Sequence, residues 1–337
     1  MSDLNIAVLG AGVVGLTTAL ELQKLYRNAH IDVIASCFES DTTSNVAAGL
    51  FRPGTSFCGP NEEITRRWIS DAYRYWDYLR NTSEGALAGV TQVSGYIFSS
   101  KYPNIVRNHY IEKLVPVYRP ATEKELKLCP GDWLYGSFFT TVLTSCEYYL
   151  PWAANKFLER GGKIQKHHVE DFASISLGYD ILVNCTGLGA KHLCDDNKLV
   201  PIRGQVIKVQ APWIKTFFYG DYDTYIIPGI NSVTLGGCRQ YDSYEQSVNK
   251  YDSLNIKERC EALVPNLKSA KPIKELVGLR PHRDPVRVEK EVRHCNGKKI
   301  KIVHNYGHGG YGVTTAPGTA IYACELVRET LAGNSKL

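Results

Sequence analysis

Ile6-Ala7-Val8-Leu9-Gly10-Ala11-Gly12-Val13-Val14-Gly15-Leu16 is the stretch on which the reading of the chain turns. Ile6 to Leu9 is a short apolar run with β-branched residues, the pattern of a parallel strand buried on both faces. Of the three glycines that follow, Gly10 permits a tight turn, Gly12 lets backbone approach a pyrophosphate, and Gly15 lets the next helix lie close to the strand. That helix is predicted to run to about Tyr26, with Val13 and Val14 at its phosphate-facing start and Leu16, Ala19, Leu20 and Leu22 packing on a sheet. Ile31 to Ala35 reads as a second strand. Strand, glycine loop, helix and strand in this order form a dinucleotide-binding unit. At the end of the second strand, where such units place an acid for the ribose hydroxyls, this chain has Ser36, which leaves the choice of dinucleotide open.

The 337 residues are enough for two domains or for one large α/β unit with an inserted lobe. An apolar content of 44% with 22% charged residues fits an ordinary globular protein. The net charge of +5 is dispersed apart from Lys298, Lys299 and Lys301. Such dispersion argues against nucleic-acid binding and mildly favours an anionic cofactor or substrate. Ten cysteines occur as singletons, so neither a zinc ribbon nor a C-x-x-C redox motif is present. No apolar run approaches the roughly 18 residues of a membrane span. Ser335-Lys336-Leu337 matches the peroxisomal address read by an import receptor, so a location in the peroxisomal matrix is expected.

Farther along, Asp41 to Leu50 is a loop of hydroxyl-bearing and small residues suited to close backbone contact with a ligand. Glu62 to Leu79 has helical spacing, with Ile64, Trp68, Tyr75 and Leu79 on one face. Strands are expected at Gly95–Phe98 and Lys113–Val117, and a helix over Tyr148–Arg160 with Pro151 in its first turn. Lys163 to Gln165 reads as an edge strand and Tyr179 to Asn184 as a buried one ending at Thr186-Gly187. Further strands are expected within Pro201–Gln210, Tyr225–Gly237 and Ile302–Tyr306, and helices over Asn255–Leu263 and Thr319–Leu331. The nucleotide domain is thus discontinuous, in residues 1–50, 151–195 and 275–337, with 51–150 and 196–274 forming a second, mixed-sheet domain that holds the substrate. The class is α/β with a Rossmann-like domain.

The chemistry is expected to reside in a cofactor. His304 and His308 have an i, i+4 spacing, but Gly307, Gly309 and Gly310 argue against the helix a metal pair would need. No G-x-S-x-G elbow supplies a serine nucleophile. Arginines and tyrosines within glycine-bounded strands suit an acidic small molecule, since guanidinium forks pair bidentately with carboxylates.

Several segments together, Ala7 to Leu16, Val46 to Leu50, Val183 to Gly187, Tyr225 to Gly229 with Val233 to Gly237, Gly278 to Pro281 and His304 to Gly312, closely resemble the D-amino-acid oxidase family, and they keep family order along nearly the whole chain. The resemblance implies FAD. By the same match Gly10, Gly12, Val13, Val14 and Gly15 would take the pyrophosphate, and Ser36 would replace the ribose-binding acid. Thr43, Ser44, Ala48 and Gly49 would lie along the cofactor, Val169, Thr186 and Gly187 near its adenosine end, and His308, Gly309, Gly310, Tyr311, Gly312, Val313 and Thr314 near the isoalloxazine. Arg280 would clamp the substrate α-carboxylate, Tyr225 would hydrogen-bond it, and the Gly310 carbonyl would receive the α-amino group. The implied reaction is oxidative deamination by hydride transfer from Cα to flavin N5. Hydrolysis then gives a 2-oxo acid and ammonia, and molecular oxygen reoxidises the flavin to yield hydrogen peroxide.

Gly236-Gly237-Cys238-Arg239-Gln240 resembles the branch that oxidises acidic D-amino acids, D-aspartate and D-glutamate, where a buried Arg239 would face the side-chain carboxylate, with Arg52 as a second cation. Other features depart from that branch. Its histidine corresponds to Gly54 here, a further arginine before Tyr225 is absent, with Asp221 and Asp223 in its region, and Gly310 follows the neutral-substrate branch. Oxidation of neutral D-amino acids and a non-catalytic flavin-binding role therefore stay open as alternatives, with an NAD-linked dehydrogenase behind them, and so does the oligomeric state.

Overall fold

A computed structural model describes residues 4–295 and 297–333; the Ser335-Lys336-Leu337 address lies outside them. The α/β class expected from the sequence is the one observed. Asn5–Leu9 pairs in parallel with His30–Ala35 on one side and with Ile181–Asn184 on the other. Lys163–Lys166 closes that edge beyond His30–Ala35, and Lys298–His308 joins Ile181–Asn184 in parallel register. The fully buried Ile6, Ala7, Val8 and Leu9 show why the opening strand reads as an unbroken apolar run: both of its faces are covered.

Lys271–Cys295 carries the sheet from this parallel part into an antiparallel one. Its first half pairs with Val200–Gln210 and its second half with Lys298–His308, and His282 lies at the junction of the two registers. From Val200–Gln210 the sheet continues through Val233–Gly236, Tyr225–Pro228, Phe217–Tyr219, Val90–Ser99, Tyr135–Thr144 and Val117–Pro120. Among the described residues this is one continuous fourteen-stranded sheet, with Gln240–Tyr241 attached at Val200–Gln210.

Val13–Leu25, Cys146–Glu159 and Gly312–Ala332 lie against the parallel strands, and Glu62–Arg80 packs on Gly312–Ala332. Val13–Leu25 is covered on nearly every side, and its two threonines satisfy their hydroxyls within the helix, Thr17 on the Val13 carbonyl at 2.6 Å and Thr18 on that of Val14 at 2.7 Å. Glu62–Arg80, capped by Asn61, packs on Gly312–Ala332, with Trp68 against the Tyr322 ring and Trp76 Nε1 donating to the Val313 carbonyl at 3.2 Å. Tyr149, on Cys146–Glu159, hydrogen-bonds Thr17 at 2.8 Å. No helix among the described residues is long and apolar enough to cross a membrane.

Several expected boundaries shift. The strand expected at Lys113–Val117 lies at Val117–Pro120. Pro151 falls in the second turn of its helix, where it removes one i to i−4 hydrogen bond, that to the Glu147 carbonyl. The buried stripe of Glu62–Arg80 runs through Thr65, Trp68, Ile69, Ala72, Trp76 and Leu79, leaving Ile64 and Tyr75 half-buried. The closing helix begins at Gly312 rather than Thr319, passing through Pro317 and Gly318. Packing explains Gly318: a Cβ there would stand 1.8 Å from the Trp68 carbonyl oxygen, so the two longest helices touch backbone to backbone. Gly318→Ala is expected to lower the unfolding free energy by about 2–3 kcal/mol through overpacking, read as a lower unfolding temperature; an unshifted transition would contradict this contact.

Candidate active site

Gly10 has φ +106°, and a Cβ on it would lie 2.4 Å from the Cys185 carbonyl oxygen; one on Gly15 would meet the Gly10 carbonyl at 1.9 Å. The turn therefore brings the helix start tight against two strand ends. Gly12 caps that helix, and the Ser44 hydroxyl accepts from the Val13 N–H at 3.1 Å. Thr43 donates to the Leu279 carbonyl at 3.2 Å, fixing the small-residue loop to the long strand. At the far end of the same cavity, Gly312, Val313 and Thr314 form the first turn of the closing helix. Two helix N-termini, with N–H groups that no helical carbonyl can satisfy, thus border one cavity of about 570 Å³. Val13, Val14, Thr43, Ser44, Ala48 and Gly49 form one wall and His308 to Thr314 another. Such a donor set fits an anionic dinucleotide.

Arg280 and Tyr225 owe their positions to missing side chains. A Cβ on Gly204 would stand 2.1 Å from Arg280 Nη1, so the guanidinium lies across the neighbouring strand's backbone. Its Nη1 donates to the Cys238 carbonyl at 3.1 Å and, more distantly, to that of Arg203 at 3.3 Å. Nε and Nη2 have no partner among the described residues, and no carboxylate there pairs with this guanidinium. Tyr225 stands opposite Gly236 in register, and a Cβ at Gly236 would meet its ring at 2.0 Å. Burial pushes the Tyr225 phenol above its ordinary range, so it remains a donor. Gly310 packs on Arg280, a Cβ there lying 3.3 Å from Cδ. Gly54 leaves room for Tyr311, whose hydroxyl would be 2.0 Å from an added Cβ. The histidine of the acidic branch has no room at that position.

Arg52, Lys101, Arg239 and Arg280 border the cavity against two carboxylates, Asp221 and Asp223. Asp221 accepts from the Ser100 hydroxyl at 2.5 Å, while Asp223 pairs with Arg239 Nε at 3.2 Å. The expectation of a buried Arg239 is corrected: its side chain is 47% exposed and already has an anionic partner. Arg52 stacks over Tyr219 with 4.7 Å from its guanidinium carbon to the ring centroid. Burial pushes the Tyr219 phenol up to about 12, with Arg52 acting in the opposite direction.

Other expected residues lie away from the cavity lining. Gly10, Gly12 and Gly15 support the turn from behind. Thr186 donates to Asn184 Oδ1 at 2.7 Å, and Gly187 has φ +57° in the turn that follows. Val169 packs against the apolar cluster around Phe172, and Ser36 is exposed at the end of its strand. His308 lines the cavity, buried, with Nε2 hydrogen-bonded to Thr319 at 2.9 Å. Sequence reasoning missed Tyr219, Lys101, His282 and Gly204 as lining residues. Only Gly204, within the strand expected at Pro201–Gln210, hinted at them.

The FAD dependent oxidoreductase (DAO) model matches residues 5–326. The chain is 40% identical to D-aspartate oxidase of Homo sapiens over 333 residues, covering 98% of this chain and 96% of that one. It is 34% identical to D-aspartate oxidase 2 of Caenorhabditis briggsae, covering 97% and 98%. Glycine oxidase from Geobacillus kaustophilus shares the fold, with a TM-score of 0.79 at 17% identity over 96% of this chain and 94% of that structure.

Burial holds His308 down to about 3 and His304 down to about 4, so both are neutral in the folded chain near pH 7. Unfolding raises each toward about 6.5. Their contribution to stability is thus fully present above about 6.5 and is lost as pH falls through that value toward the folded ones. The unfolding temperature is expected to drop between pH 7 and pH 4, and less steeply in His308→Gln. A parallel drop in both proteins would contradict a role for His308.

Proposed function

Since this chain belongs to the FAD dependent oxidoreductase family of D-amino-acid oxidases, we propose that it deaminates acidic D-amino acids, D-aspartate and D-glutamate, oxidatively with FAD as its cofactor. The observation that carries the substrate reading is the unpaired edge of Arg280, laid over Gly204 beside Tyr225 in a cavity with more cations than carboxylates. A carboxylate can take two hydrogen bonds from Nε and Nη2 while Nη1 stays on the Cys238 carbonyl. Tyr225, protonated because it is buried, adds a third donor. The exposed Gly310 offers its carbonyl to the α-amino group. With carboxylate and amine both held, only one enantiomer directs its Cα–H toward the cofactor wall, so orientation is the protein's main contribution.

FAD, when bound by the Gly10–Gly15 turn, the Thr43–Gly49 loop and the Gly312 helix start, supplies a two-electron acceptor for the Cα hydride and passes the electrons to oxygen, giving hydrogen peroxide. Among the described residues of the cavity, both carboxylates are engaged, Asp221 by Ser100 and Asp223 by Arg239. This arrangement supports oxidation of a neutral amine without a dedicated base. Water then converts the imino acid to a 2-oxo acid and ammonia. Residues 1–50, 151–195 and 275–337 serve the cofactor in this reading, and 51–150 with 196–274 the substrate. A peroxisomal setting accords with the Ser335-Lys336-Leu337 tripeptide and with a product that this compartment removes. One observation favours oxidation of neutral D-amino acids as the second reading: Asp223 already neutralises Arg239.

Peroxide release by FAD-loaded protein should be fastest with D-aspartate or D-glutamate, slower with D-alanine and absent with L-aspartate. Arg280→Ala should lower kcat/KM for every D-substrate by roughly 10³-fold, as expected for loss of a desolvated charge-assisted pair. A variant that keeps wild-type kcat/KM would remove Arg280 from carboxylate binding.

A further inference from the structure

We propose that Arg52, rather than Arg239, reads the side-chain carboxylate of the substrate. The inference rests on the acidic-substrate reading above and assigns its second anchor. Arg52 follows Phe51, whose N–H donates to the Val142 carbonyl at 2.8 Å and whose carbonyl accepts from the buried Thr141 hydroxyl at 2.9 Å. The backbone that carries Arg52 is therefore pinned to the strand Tyr135–Thr144. Its guanidinium lies on the Tyr219 ring, and that ring leans on Tyr225 with centroids 5.6 Å apart. Arg52 thus sits one aromatic ring from the phenol that helps to hold the α-carboxylate, in the same cavity as Arg280.

Among the described residues its charge has no counter-ion. Nε is buried without a hydrogen-bond partner, and no carboxylate pairs with Arg52 among the described residues. Contact with an aromatic face compensates a partly buried cation only in part, so Arg52 has an anion to gain. Arg239 is in the opposite situation. Asp223 pairs with it, and the segment that holds Asp223 is fastened at two points. The Gly237 N–H donates to the Asp223 carbonyl at 2.8 Å, and Arg259 Nη2 donates to the Gly237 carbonyl at 2.7 Å, while its Nη1 bonds the Tyr222 carbonyl. Half-exposed and already paired, Arg239 has less to gain from a second carboxylate than Arg52 has from its first.

The test compares Arg52→Gln, Arg52→Lys and Arg239→Gln with the FAD-loaded wild type, measuring kcat and KM for D-aspartate and D-alanine and, separately, the perturbation of the flavin spectrum by succinate and by butyrate. The two acids have equal carbon number, so the difference isolates the second carboxylate. Arg52→Gln is expected to lower the D-aspartate to D-alanine ratio of kcat/KM by about 100-fold or more, mainly through KM, and to remove the preference for succinate. Arg52→Lys should recover part of both, and Arg239→Gln should change the ratio less than about fivefold. If Arg52→Gln fails to retain FAD, Arg52→Lys and the succinate titration decide, since a lysine that bound both acids equally would overturn the proposal. Equal loss of both substrates in Arg52→Gln, or collapse of the ratio in Arg239→Gln alone, would also overturn it. Failure of the underlying reading has a different signature: a wild type that prefers D-alanine and shows no preference for succinate.

Discussion

The sheet depends on one strand that is hydrogen-bonded to different partners at its two ends. Lys271–Cys295 holds Val200–Gln210 along its first half and Lys298–His308 along its second, so the dinucleotide-binding strands and the antiparallel strands share one hydrogen-bond ladder. Where the partners change, the pairing with Lys298–His308 shifts register between His282 and Arg287. The cavity borders this junction. Arg280 is two residues before it, and Pro281 and His282 line the wall. Arg280 is thus carried by a strand that is paired with Val200–Gln210.

Close approach is the second theme. Arg280 over Gly204, Tyr225 over Gly236 and Tyr311 over Gly54 are each a large polar side chain resting where a neighbour has no Cβ. The arrangement brings donors onto the cavity wall without widening the sheet. It also explains why Gly54 stands where the related branch has histidine: the Tyr311 hydroxyl occupies that volume. The electrostatics follow from the same economy of space. Four cations and two carboxylates border the cavity, and among the described residues only Arg239 is ion-paired, which leaves Arg52, Lys101 and Arg280 without a carboxylate partner. An anion entering there exchanges water for guanidinium groups that are already fixed in place.

Much of the scaffold was legible in the residues. The glycine turn, the buried strands at Asn5–Leu9 and Ile181–Asn184 and the amphipathic helix Glu62–Arg80 carry their periodicity openly, because each is defined by neighbours close in sequence or by burial on both faces. The closing helix was read seven residues short because Pro317 and Gly318 look like breakers. Packing overrides them, since Gly318 is needed for contact with Trp68. The long strand was seen only as a short motif around Arg280, its charged and proline-bearing remainder lacking a clear alternation of two.

The sequence by itself determined the family and the cofactor class, because those properties are set by residue type and by spacing along a turn or strand. Tertiary structure alone decided which cation is free. Arg239 and Asp223 are separated by a glycine pair and a strand hairpin, and their pairing depends on how that hairpin folds back. Arg52 and Tyr219 come from segments more than 160 residues apart. The charge state of a pocket is a sum over such distant neighbours, and local pattern holds no record of it.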